Sequence, residues 1–203
     1  VGEDMYLMKV EGNFEGKMGQ FYMIRAWDKF PLLSRPISIH DIDENSISFL
    51  YKVVGEGTKI FSTLKVGDDI KLEGPYGKGY EKVEGKVALV GGGIGVAPLY
   101  LVAKNIENCD AYLGFRKEAI LEEEYKSVCN EVNIALGDTF VTDILTNIDK
   151  QKKTIVELAS NILEQSMTVK LILNISKTEK SKIKLISTPK YSISTEIVSE
   201  TKS

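Results

Sequence analysis

The stretch Val87-Ala88-Leu89-Val90-Gly91-Gly92-Gly93-Ile94-Gly95-Val96-Ala97-Pro98 decides how this chain is read. Four apolar residues run directly into a glycine cluster, and an apolar segment of helical character follows (Leu99, Tyr100, Leu101, Val102, Ala103). A short continuous apolar run closed by glycine predicts a buried strand. The glycines let the backbone turn sharply and leave N–H groups uncovered. A helix starting there points its positive end at the turn, which suits an anion such as phosphate. Pro98 falls in the first helical turn, where proline is tolerated. The spacing is not the usual dinucleotide fingerprint, because Val96 stands where Gly or Ala would complete it. A strand-to-helix turn that binds nothing is the plain alternative for this stretch taken alone.

Outward from that turn, composition narrows the class. The chain has 203 residues and suggests one large or two small domains. A formal net charge of -3 gives no reason to expect nucleic acid or an anionic membrane as partner. No apolar run reaches the length of a membrane span, and the first residues lack a basic-then-apolar leader pattern. The expectation is therefore a cytoplasmic protein with Cys109 and Cys129 as reduced thiols. Two cysteines and one histidine, His40, cannot build a four-cysteine or His-rich metal site, so no metal ligand is assigned. His40 itself reads as a surface or satisfied histidine rather than a catalyst.

Before the turn, residues 5–10, 20–27, 46–54 and 69–73 have strand character. Turn signals recur at Gly12, Gly16-Lys-Met-Gly19, Gly55-Glu-Gly57, Val66-Gly67-Asp68 and Gly74-Pro75-Tyr-Gly77-Lys-Gly79. Short strands with regular turns predict an antiparallel β-barrel over residues 1–84. Two places in it can carry chemistry. In Arg35-Pro36-Ile37-Ser38 the Arg and Ser lie three apart, on opposite strand faces, so the guanidinium can hold a phosphate while the hydroxyl points elsewhere. In Tyr51-Lys52-Val53-Val54-Gly55-Glu56-Gly57-Thr58 an aromatic and a Gly-x-Gly-Thr turn can stack a ring and offer N–H and hydroxyl donors. An edge-strand Arg in solvent and a plain strand-then-turn are the alternatives.

After the turn, Asp110–Gly114 reads as a strand, 118–129 as a helix with Glu122, Glu123 and Glu124 on a solvated face, and Asn133–Leu136 as a further strand. Val141–Leu145 begins another helix, with Asp138 or Thr139 available as its cap. Strands alternating with helices predict a parallel sheet, assigned to residues 85–175.

In this order, Gly19-Gln20-Phe21, Pro31–Ile39, Tyr51–Thr58, Gly67-Asp68, Gly74–Tyr80, Val90–Leu99 and Leu113–Arg116 resemble the ferredoxin–NADP reductase superfamily. Within it, they are similar to the electron-transfer subunits of NAD-dependent dihydroorotate dehydrogenase, over about residues 5–147. The resemblance implies two domains: a FAD-binding β-barrel, then an α/β domain for NAD(H). It implies that Arg35, with Pro36 and Ile37 on the same segment, holds the flavin pyrophosphate and that Ser38 lies at the isoalloxazine. Leu50, Tyr51 and Lys52 would contact the flavin and its ribityl chain, and Gly57 and Thr58 its phosphate. Gly91, Gly92, Gly93 and Gly95 would make room for nicotinamide and pyrophosphate. Arg116 would sit near the adenine ribose, where it could also meet a 2′-phosphate. No residue is assigned as acid, base or nucleophile, since the cofactors carry the chemistry. A [2Fe–2S] cluster and a partner dehydrogenase subunit carrying FMN, in a hetero-oligomer, also follow from the resemblance.

The last third departs from that pattern. Leu136-Gly137-Asp138-Thr139-Phe140 is shorter than the family's Gly-rich loop, and Thr154–Asn161 stands in place of a strand ending in Cys-Gly-Pro. No cysteine follows Cys129, so the cluster's four are absent. Leu158–Met167 has helical spacing, Thr168–Ile175 has strand character, and residues 176–203 form an atypical tail, either strands or a loose end, whose composition favours poor order at the terminus. Divergence and a shifted reading frame both account for it. Three functions stay open: an electron-transfer subunit, a stand-alone NAD(P)H:acceptor flavin reductase, and a non-enzymatic partner-binding remnant of the fold.

Overall fold

The computed structural model describes residues 1–83, 85–144, 153–157 and 184–186. The helical and strand readings over 158–175 lie outside them, as does most of the tail.

The N-terminal half is built from β1 (Met5–Glu11), β2 (Phe21–Arg25), β3 (Arg35–Ser38), β4 (Asp41–Ile42), β5 (Ser46–Lys52) and β6 (Lys71–Tyr76). They form two three-stranded antiparallel sheets, ordered β1-β5-β4 and β3-β2-β6. Alternation along β2 and β5 sends Tyr22, Ile24, Ile47, Phe49 and Tyr51 into a shared core, where Tyr22 meets Phe49 edge-on at 5.9 Å. Burial of such rings supplies most of the drive to close the sheets.

Three of the differences from the sequence reading have a visible cause. The strand expected over 20–27 stops at Arg25, because the Arg25 guanidinium turns to carbonyls of the following loop: Trp27 at 2.7 Å, Leu32 and Lys29 at 3.4 Å, and Asp28. Gly74-Pro75, read as a turn, lies inside β6 at an irregularity where Phe21 pairs with Tyr76 but Met23 with Glu73. That extra residue is a β-bulge, and proline is tolerated there because a bulge needs no ladder N–H. Glu56–Phe61 is a short helix, α1, rather than a turn. The Thr58 hydroxyl nucleates it by accepting from the N–H of Val54 and Gly55 at 3.0 and 3.2 Å.

The second half is a parallel sheet. Its strands are β7 (Val87–Gly92), β8 (Cys109–Phe115), β9 (Glu131–Leu136), β10 (Lys153–Glu157) and β11 (Lys184–Ile186), in the spatial order β11-β10-β7-β8-β9. Val87 to Val90 are each at most 1 % exposed, as a central parallel strand requires. The antiparallel first half and parallel second half are the two-part architecture expected from the sequence. The strand of the departing segment also exists: Thr154 pairs with Ala88 and Val156 with Val90.

Helix α2 (Val96–Asn105) follows β7 through a 3-10 turn at Gly93–Gly95, with Pro98 in its first turn. Helix α3 is confined to Glu122–Lys126, much shorter than the 118–129 expected. Leu121 takes a left-handed φ of 59° that breaks the helix, and Ile120 and Leu121 are buried instead. At the start of helix α4 (Val141–Ile144) the Asp143 carboxylate accepts from the Phe140 N–H at 2.8 Å.

Candidate functional site

On the barrel side, β3 lays Arg35, Pro36, Ile37 and Ser38 opposite Ile24, Met23, Tyr22 and Phe21 of β2. Arg35 lies over the Trp27 ring, 5.5 Å from its centroid, and donates to the Leu33 carbonyl. That combination of stacking and a backbone acceptor fixes a planar guanidinium. The start of α1 comes up against it. A Cβ at Gly57 would lie 2.6 Å from Arg35 Nε and 2.8 Å from the Trp27 ring, so only glycine lets helix and guanidinium approach this closely. No side chain caps the first turn of α1, whose N-cap is Gly55. An Arg fork beside uncapped helical N–H groups is a fitting cradle for a phosphate.

Thr58 belongs to the frame of this cradle. Its hydroxyl donates to the Gly55 carbonyl at 3.0 Å while accepting from Val54 and Gly55, so it is spent on the helix start. Tyr51 is likewise enclosed. Its ring stacks on Tyr6 at 5.9 Å and meets Phe61 edge-on at 5.6 Å. Burial pushes its hydroxyl pKa up to about 12. Leu50 is buried beside it and Lys52 is exposed at the end of β5, opposite Met5. Of the expected flavin contacts, the structure brings Arg35 and Gly57 into direct contact. Leu50, Tyr51 and Lys52 stand on the other sheet.

On the α/β side, the chain moves from β7 outward to β8 and β9, then returns to β10 on the far flank of β7. The strand order reverses there, and ligands of open α/β sheets bind at such switch points, beyond the carboxyl ends of the strands. The glycine turn stands at that place. Its glycines do different work. A Cβ at Gly91 would lie 2.7 Å from Leu99 Cδ1, so Gly91 lets α2 pack on the sheet. A Cβ at Gly92 would meet nothing within 4 Å. Gly93 has φ +55°, the left-handed conformation that glycine takes without penalty. Clearance for a ligand therefore lies at Gly92, which pairs with Gly114 of β8. Arg116 is exposed just past the end of β8.

The barrel and the parallel-sheet part are joined by the histidine read from the sequence as surface or satisfied, and it is the satisfied kind. His40 is 3 % exposed, stacks on Tyr100 at 4.9 Å and 22°, and places Nδ1 2.7 Å from the Ala97 carbonyl. The neighbouring Asp41 carboxylate meets Lys104 at 2.6 Å. Nothing local in the sequence signals these contacts, because His40 and Ala97 are 57 residues apart.

No family model matches the chain. Among individual proteins, it is 48% identical over 142 residues to the electron transfer subunit of dihydroorotate dehydrogenase B (NAD(+)) from Clostridium acetobutylicum, covering 68% of this chain and 58% of the relative. It is 36% identical over 178 residues to the same subunit from Fusobacterium nucleatum, covering 77% of this chain and 69% of that relative.

The chain belongs to the family of dihydroorotate dehydrogenase B (NAD(+)) electron transfer subunits.

This chain spans 58% and 56% of the length of two such relatives, those from Clostridium acetobutylicum and Caldanaerobacter subterraneus. Its fold is similar to that of an NADH-dependent reduced ferredoxin-NADP oxidoreductase, with a TM-score of 0.73 at 25% identity, covering 84% of this chain and 68% of the other. A flavohemoglobin from Malassezia yamatoensis, solved with FAD and heme, matches with a TM-score of 0.73 at 19% identity, covering 92% of this chain and 56% of the other; that likeness concerns the fold. Among the described residues of this family member, no group of His, Cys, Asp and Glu could hold a metal ion. No described helix is long and apolar enough to cross a membrane.

Proposed function

We propose that this chain takes electrons from NADH through FAD and delivers them to a partner dehydrogenase subunit, the role named for its relatives. The observation that supports this best is the pairing of an arginine–helix cradle on the barrel with a glycine-lined switch point on the parallel sheet, braced together by His40. In this reading residues 1–84 are the FAD-binding part and 85–175 the NAD-binding part, whose sheet β11 (Lys184–Ile186) extends from the tail. Arg35 and the first N–H groups of α1, at Glu56 and Gly57, hold the flavin pyrophosphate. Pro36 and Ile37 form the strand that carries Ser38 to the isoalloxazine, and Leu50, Tyr51 and Lys52 line the opposite side. Gly92, Gly93 and Gly95 leave the dinucleotide room to approach, and Arg116 faces its adenine ribose.

FAD, when bound, accepts a hydride from a nicotinamide and can release electrons singly. The chain's own contribution is to bind, align and exclude water; no side chain is asked to transfer a proton. The partner would be an FMN-containing dihydroorotate dehydrogenase subunit, and the assembly a hetero-oligomer in the cytoplasm.

The residues present do not fit a [2Fe–2S] cluster. Such a cluster takes four cysteine ligands, and this sequence has two. Cys109 and Cys129 lie 3.7 Å apart at the strand-start end of the parallel sheet, away from the switch point. That count favours a second reading, in which the reduced chain passes electrons directly to a soluble acceptor. The test is an anaerobic titration of the FAD-loaded chain with NADH, with and without the partner subunit. Reduction of the flavin followed by reoxidation by the partner supports the first reading. Reoxidation by a soluble dye but not by the partner supports the second. A chain that does not take up FAD overturns both.

A further inference from the structure

We infer that His40 is a positioning residue for hydride transfer: its Nδ1–H holds the Ala97 carbonyl and so sets the glycine turn of the nucleotide site against the flavin strand. The inference rests on the proposed function. It starts from chain geometry. His40 lies two residues after Ser38, and its backbone N–H is pinned to the Ser48 carbonyl at 2.9 Å. The preceding Ile39 N–H is pinned to Gln20 at 2.9 Å, so the main chain carrying the ring cannot drift from the barrel. Ala97 lies two residues after Gly95. A single 2.7 Å hydrogen bond therefore joins the strand expected to carry the flavin to the turn expected to admit the nicotinamide.

The acceptor fixes the tautomer, because a carbonyl only accepts and Nδ1 must then carry the proton. The first turn of α2 is held from both sides. The Val96 carbonyl takes the Tyr125 hydroxyl at 2.7 Å and the Ala97 carbonyl takes His40. Tyr100, one turn further on, lies flat against the imidazole and edge-on to Tyr125 at 5.7 Å. The ion pair of Asp41 with Lys104 closes the same seam but is partly exposed, with side chains 26% and 33% accessible, and is worth little. Hydride transfer needs reacting atoms held close, and a displacement of about 1 Å costs on the order of 100-fold in rate. A buried hydrogen bond between the two half-sites is a means of holding that distance.

Two variants separate positioning from general support. H40N keeps an N–H donor near the Nδ1 position, whereas H40F keeps a stacking ring and loses the donor. The expected result in single-turnover reduction of the FAD-loaded chain by saturating NADH is that H40N stays close to wild type. H40F slows by about 10- to 100-fold while its FAD affinity is unchanged. Equal rates in H40F and wild type, or equal losses in both variants, overturn the inference and leave the proposed function standing. A wild-type chain whose bound FAD is not reduced by NADH overturns both. Because the chain has a single histidine, nitrogen-15 NMR reads its tautomer without assignment. A neutral ring protonated at Nδ1 is expected, and a proton on Nε2 with Nδ1 bare overturns the brace directly.

Discussion

Replacing Gly57 with alanine probes the phosphate cradle with a single methyl group. The added Cβ would lie 2.6 Å from Arg35 Nε, 2.8 Å from the Trp27 ring and 3.0 Å from Arg35 Cγ. Distances that short cannot persist, so the Arg35 side chain must swing off Trp27 and away from α1. Gly57 lies within α1, where alanine is the better helix former by roughly 1 kcal/mol, so folding gains locally what it loses in contact. Ligand binding has no such compensation. A charge-assisted hydrogen bond contributes about 1.5–3 kcal/mol, which corresponds to a 10- to 150-fold loss of affinity. The assay is quenching of FAD fluorescence on titration of the apoprotein with a thermal melt as control. G57A is expected to bind FAD about as weakly as R35A. The double variant should be no worse than either single one, the sign of a shared interaction. Wild-type FAD affinity in G57A, or full additivity with R35A, refutes the cradle.

Further predictions follow from the same geometry. G91A puts a methyl group against Leu99 and should cost about 1–3 kcal/mol by overpacking, seen as a lowered Tm. G92A has open space and an extended φ of -126°, so it should melt like wild type and bind FAD normally while impairing flavin reduction by NADH. His40 is held below its ordinary pKa of 6.5, first by burial, against the opposing pulls of the Ala97 carbonyl, Asp41 and Glu124 and with a small push from Lys104. Its contribution to stability is thus complete above pH 6.5 and is lost as the pH falls below it, so the slope of stability against pH on the acid side should flatten in H40N. Tyr51, raised to about 12 by burial, contributes fully below its ordinary 10.0 and loses that contribution as pH climbs between the two values. An ultraviolet titration should show a tyrosine ionising near pH 12, and Y51F should remove that step.

How much of this could be read from sequence depended on the range over which each signal acts. The run Val87–Val90 into glycine is a local signal, and the strand, turn and helix stand where it placed them. The antiparallel and parallel halves were legible for the same reason. Short elements were not: α1 has six residues, too few to develop a helical period, and its Thr58 start resembles a turn. The break before α3 was hidden because Leu121 gives no hint of a left-handed φ. The work of individual glycines was equally out of view. Gly91 and Gly92 are adjacent and identical in type, yet one faces Leu99 and the other open space. His40 was the largest omission, since its meaning comes from Ala97 and Tyr100, which only the folded chain brings to it.

The most direct test of the central claim is the visible spectrum of the FAD-loaded chain, mixed anaerobically with NADH. The account predicts that the chain takes up FAD and that NADH bleaches its oxidised-flavin band. A protein that stays colourless with added FAD, or bound FAD whose band NADH leaves unchanged, would contradict it.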